Sequence, residues 1–125
     1  MFTTLLQVAL GGAIGASLRY LSFAGAARLM GPGYPWGTLV VNVAGSLLMG
    51  VLFVTLASKD AMRLAPFLMT GILGGFTTFS AFSLDAFVLW EKGQAGFAAL
   101  YVAASVLLSV GALVLGIFIA RGALQ

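Results

Sequence analysis

The sequence contains no cysteine and no histidine, and its charged residues are limited to six Lys or Arg and three Asp or Glu among 125 positions. Without cysteine there can be no disulfide and no thiolate nucleophile, and without histidine no imidazole base; together the two absences remove the usual zinc ligands. The only carboxylates are Asp60, Asp85 and Glu91, with no positioned nucleophile and base beside them, so an enzyme is not expected. The basic residues are scattered and form no cluster that could follow a phosphate backbone, which excludes nucleic acid as a partner in spite of a formal charge of +3. A charged fraction of 7% lies far below the roughly 25% of a soluble domain.

What the chain has instead is apolar mass: 62% of its residues are hydrophobic and the mean hydropathy is +1.14. Four apolar stretches, near residues 4–24, 37–57, 66–90 and 97–120, have the roughly 20-residue length that spans a bilayer core. The chain therefore reads as one membrane domain over 1–125. Met1 to Gln7 carries no Lys or Arg ahead of its apolar run and no cleavage pattern follows, so this segment reads as a retained helix, with the mature chain starting at Met1.

The first connection holds Arg28, Pro32 and Pro35 with the interface-seeking aromatics Tyr34 and Trp36; the second holds Lys59, Asp60 and Arg63; the third holds Glu91, Lys92 and Gly93. Connections this short make successive helices antiparallel and put both termini on one side. That side then carries Lys59, Arg63 and Arg121, and the other carries Arg28, Lys92 and a snorkelling Arg19. Loop charge normally sets orientation, so an even tally leads to the expectation that chains insert both ways and pair as an antiparallel homodimer; the alternative is one orientation set by a single residue. Small residues at four-residue spacing, including Gly11 with Gly15, Ser46 with Gly50, Gly71 with Gly75 and Ala112 with Gly116, read as packing.

The third stretch is anomalous, because Thr70 to Ser80 puts the Gly74-Gly75 pair and the hydroxyls of Thr77, Thr78 and Ser80 near the bilayer midplane. Two readings stay open: a helix break whose freed backbone groups line a buried cavity or bind an ion, or an unbroken, glycine-lined packing seam. Phe76, Phe79 and Phe82 share a face among Thr78, Ser80 and Ser83; such a stripe is ordinarily filler, yet the positive edge of a phenyl ring can also favour a small anion. Asn42, inside the second stretch, either donates to an anion or ties two helices together. Tyr101, Ser105 and Ser109 form a polar stripe that can replace water around an ion step by step, or bond one turn back. Arg19 can concentrate anions at a pore mouth. Asp85 reads as an interfacial anchor in preference to a proton carrier.

Taken together these residues resemble the Fluc family of fluoride channels, also called CrcB, over the whole chain. The resemblance rests on Gly-Gly-Phe-Thr-Thr-Phe-Ser-Ala-Phe-Ser at 74–83, on Gly37-Thr38-Leu39-Val40-Val41-Asn42, on Leu18-Arg19-Tyr20, and on the Tyr101, Ser105 and Ser109 stripe. It implies an all-α membrane protein with four transmembrane helices per subunit and a break in the third. It also implies an antiparallel dual-topology dimer with two parallel fluoride pores, multi-pass in the inner cell membrane. By similarity, Phe79 and Phe82 line the pore, Asn42 is an amide donor, Tyr101, Ser105 and Ser109 make the track, and Arg19 marks the vestibule. A structural sodium ion, not itself transported, is implied at the backbone carbonyls of Gly74 and Thr77 from both subunits.

Ala81 stands where relatives commonly have Thr, so the anion path relies on Ser80, Ser83 and the last helix; Phe76, where relatives often have Leu, looks neutral. With no nucleotide-binding motif, flow is expected to be passive. A negative interior, at about 2.3 kcal/mol per charge per 100 mV, would expel fluoride and protect the cell from it. Two rivals remain. A small dual-topology multidrug exporter would need a Glu in the first helix, where this chain has only Arg19; a non-conducting structural membrane subunit would use the same polar residues as helix glue.

Overall fold

The computed structural model describes residues 1–125 and is helical throughout, with no strand. Helix α1 spans Phe2–Met30 and is stopped by Gly31, whose φ of 79° only glycine adopts readily. It runs past the end expected near residue 24 and takes Arg28 into its last turn, where a cation offsets the carbonyl end of the helix dipole. After the two prolines, α2 spans Trp36–Ser58. The next connection turns at Asp60 (φ 53°) into a 3-10 turn, Met62–Leu64.

The third membrane segment is composite. A π-helical stretch, Pro66–Leu73, begins with a proline where the missing N–H costs nothing and runs into the short helix α3, Gly74–Phe76. Thr77 and Thr78 are extended, and α4 resumes at Phe79 and ends at Glu91. The break is real, but it falls two residues beyond the glycine pair. The glycines are packing residues: a Cβ on Gly75 would stand 2.7 Å from the Gly12 carbonyl oxygen, and one on Gly71 would stand 2.8 Å from the Gly11 Cα. The unbroken helix is thus overturned, while the glycine packing seam it came with is found, in the residues before the break. Helix α5, Ala95–Ala123, completes the chain.

Helix α1 packs on the π-helical stretch and α3, while α2 packs on α5 and α4 leans on α5. Gly50 of α2 lies against the Leu113 carbonyl, and Gly116 of α5 against that of Leu47, so the two helices cross closely there; Thr38 and Tyr101, near their N-terminal ends, both bond Asp85, so α2 and α5 run parallel. A small cluster of Phe82, Leu89, Ala98 and Tyr101 joins α4 to α5. Only 17 of the 125 residues are buried, and large apolar side chains cover the outer faces of α1 and α5, as suits a chain whose surroundings are apolar. The segments Trp36–Ser58, Met62–Glu91 and Ala95–Ala123 are long and apolar enough to cross a membrane. Helix α1, the first of the four expected spans, is not among them: it carries Gln7, Arg19 and several glycines among its leucines.

Candidate functional site

The break is held open by Asn42. In a continuous helix the Thr78 N–H would go to the Gly74 carbonyl; here it donates to Asn42 Oδ1 at 2.8 Å, and Asn42 Nδ2 donates back to the Thr78 carbonyl at 3.0 Å. Thr78 Oγ1 caps α4 by accepting from the Ala81 N–H at 3.1 Å, a donor that would otherwise reach the Thr77 carbonyl. The Gly74 and Thr77 carbonyls have therefore each lost their helical donor. The Gly75 carbonyl takes a replacement from outside the segment, because Arg19 Nε donates to it at 3.0 Å. Arg19 is thus drawn in against the break, with its guanidinium 5.9 Å from the Phe23 ring centre.

Below the break, α2, α4 and α5 surround a cavity of about 380 Å³. Its lining includes Asn42, Ser46, Thr77, Phe79, Phe82, Ser105 and Ser109, so it gathers most of the residues singled out in the sequence. The Phe79 and Phe82 rings lie 5.5 Å apart at 54°; Phe82 is buried, whereas Phe79 is 78% exposed. Hydroxyls inside a helix commonly bond one turn back, as Ser17, Ser22, Thr77 and Ser83 do. Ser105 does not: its Oγ is buried and has no partner at all.

Not every expected residue faces this cavity. Ser83 spends its hydroxyl on the Phe79 carbonyl, and Ser80 lies 3.2 Å from Thr78 Oγ1; neither lines the cavity. Tyr101 is fully buried, with its ring 5.3 Å from that of Phe82, and donates to Asp85 Oδ2 at 3.0 Å. The same oxygen accepts from Thr38 Oγ1 at 2.6 Å. Asp85 is therefore no interfacial anchor but the knot tying α2, α4 and α5 together. Its carboxylate faces a second cavity, of about 370 Å³, walled by Phe23, Tyr34, Trp36 and Ala81. The sequence reading gave no polar role to Thr38, which bonds Asp85, or to Ser46, which lines the first cavity, although the four-residue spacing of Thr38, Asn42 and Ser46 was available in the sequence.

Comparison with known proteins decides the family. The family model described as CrcB-like protein, Camphor Resistance (CrcB), matches residues 6–117. The chain belongs to the CrcB family. A relative from Cereibacter sphaeroides is 64% identical over 122 residues, covering 98% of both chains. One from Ruegeria sp. strain TM1040 is 58% identical over 99% of both, and one from Paracoccus denitrificans 55% identical over 95% of both. Each of these CrcB relatives is named a fluoride-specific ion channel FluC. With the three apolar spans, this membership makes the chain a membrane protein.

Proposed function

We propose that the chain is a single-domain subunit of a fluoride-selective channel in the inner cell membrane, which lets fluoride leave the cytoplasm passively. The observation that carries this reading is the buried, unpartnered Ser105 hydroxyl in a cavity shared with Asn42, Ser109 and two phenylalanine rings. A buried hydroxyl with no acceptor costs about 1–3 kcal/mol, and an anion in the cavity would accept from it. The Asn42 amide keeps a second N–H after its bond to Thr78, and Ser109 keeps its hydroxyl. These donors, with the positive edges of Phe79 and Phe82, can replace the shell of a strongly hydrated ion without a fixed cation that would trap it.

Tyr101 extends the path once its hydroxyl turns from Asp85 to the ion. Ser80 and Ser83 contribute by the same kind of turn from Thr78 and the Phe79 carbonyl. Arg19, beside the break, raises anion concentration at the mouth. The cavity is open on one side and Phe79 is exposed beside it, which supports closure by a second, antiparallel copy. The Gly74 and Thr77 carbonyls, relieved of their helical donors, suit a hard monovalent cation such as sodium, whose shell would need oxygens from both copies.

The test is fluoride efflux from liposomes containing the purified protein, read with a fluoride electrode, with chloride as the competing anion and Phe79→Ile beside the parent. Rapid fluoride release, little chloride release and loss in the variant are expected. A folded, sodium-supplied parent that releases no fluoride would overturn the channel and favour a structural membrane subunit.

A further inference from the structure

The proposed track on α5 has a counterpart on α2. The two helices run parallel, and Thr38, Asn42 and Ser46 on α2 follow the same four-residue spacing as Tyr101, Ser105 and Ser109 on α5; the sequence separation is identical for all three pairs. The first pair is bridged by Asp85, which accepts from both Thr38 and Tyr101. The second, Asn42 and Ser105, and the third, Ser46 and Ser109, line the same cavity. One turn further on, Gly50 lies against the Leu113 carbonyl and the helices close. The polar residues therefore form two columns in register, and the second and third pairs supply two of the walls of the cavity, with α4 and the break closing the rest.

We infer that Ser46 contacts the permeating anion directly, as the fourth hydrogen-bond donor of the cavity with Asn42, Ser105 and Ser109. Sequence spacing assigned Ser46 to helix packing with Gly50, but it is Gly50 that meets α5, while Ser46 faces the cavity. Its hydroxyl makes no bond to the Asn42 carbonyl one turn back, in contrast to Ser17, Ser22 and Ser83, and none to any other group. The remaining polar residues of the lining are committed: Thr77 donates to the Leu73 carbonyl, and Thr78 Oγ1 accepts from Ala81 and lies against Ser80. Donors on two walls can hold a small anion between them, which a single column on α5 cannot do, so Ser46 sets how completely the ion is coordinated at the end of the cavity next to Gly50.

This inference rests on the fluoride-channel reading, and the experiment separates the two. Fluoride efflux from liposomes is measured over a range of fluoride concentrations for the parent, Ser46→Ala and Ser46→Thr, with dimer elution as the control for assembly. Loss of one donor to an anion is expected to lower the rate of Ser46→Ala by about tenfold and raise its half-saturating fluoride concentration, while Ser46→Thr, which keeps the hydroxyl, stays near the parent. Parent-like flux and saturation in Ser46→Ala, or equal loss in both variants, would overturn the role of Ser46 and leave the channel standing. If Ser46→Ala fails to assemble, Ser46→Gly takes its place against Ser46→Thr under the same criteria. Absence of fluoride flux in the parent would overturn the channel reading and this inference with it.

Discussion

Two helix contacts in this molecule are built on small residues four apart, and they come to opposite ends. Between α1 and Pro66–Phe76 the glycines Gly11, Gly15, Gly71 and Gly75 bring backbones together with no room left; a Cβ on Gly15 would run into the Ile72 carbonyl and stand 2.8 Å from the Phe76 amide nitrogen. Between α2 and α5 the glycines Gly50 and Gly116 do the same at one level only. Above that level the positions are taken by Asn42, Ser46, Ser105 and Ser109, and the helices leave a cavity. Small residues thus supply close approach in both contacts, and hydroxyl and amide groups at the same spacing decide which of them becomes a site. One seam is closed packing, and the other carries the candidate site.

The comparison breaks most visibly at Gly15. Even the smallest side chain there must push α1 from the third segment, so Gly15→Ala is expected to cost toward or beyond the upper end of about 1–3 kcal/mol and to show as a sharply lowered thermal transition of the solubilised protein. Ser105→Ala should give the opposite signature. Fluoride efflux falls about tenfold, while stability is unchanged or slightly raised, because an unsatisfied buried hydroxyl costing about 1–3 kcal/mol has been removed. Lowered stability with intact flux would make Ser105 helix glue and erase the distinction between the two contacts. The smallest effect belongs to Gly12→Ala, three residues from Gly15 on the same helix, where a Cβ meets nothing within 4 Å. Its stability should stay within about 1 kcal/mol of the parent, with a correspondingly small change in the thermal transition. Damage comparable to that of Gly15→Ala would mean that a second copy lies against that face.

The sequence made the apolar segments, the polar stripe on α5 and the anomaly of the third segment legible, because each is a local pattern of composition or spacing. It did not place the break. A glycine pair advertises flexibility, but what interrupts the helix is the Asn42 side chain, 36 positions away, which takes up both backbone groups of Thr78. Asp85 was misread for the same reason: a lone carboxylate near a helix end looks like an anchor until Thr38 and Tyr101 arrive from two other helices. Ser80 and Ser83 are interleaved with the phenylalanines in the sequence, yet their hydroxyls are engaged locally, with Thr78 and the Phe79 carbonyl. Ser46, read as packing with Gly50, lines the cavity instead, because only the structure shows which of the two meets α5.

The bond from Arg19 to the Gly75 carbonyl also bears on how the protein is made. Helix α1 precedes, in the chain, the three segments that are long and apolar enough to cross a membrane. Its guanidinium finds its acceptor, and its glycines their seam, only in residues synthesised after α2 is complete. The contacts with α2 can form earlier, but the bond and the glycine seam that fix α1 against the break form only once the third segment is in place.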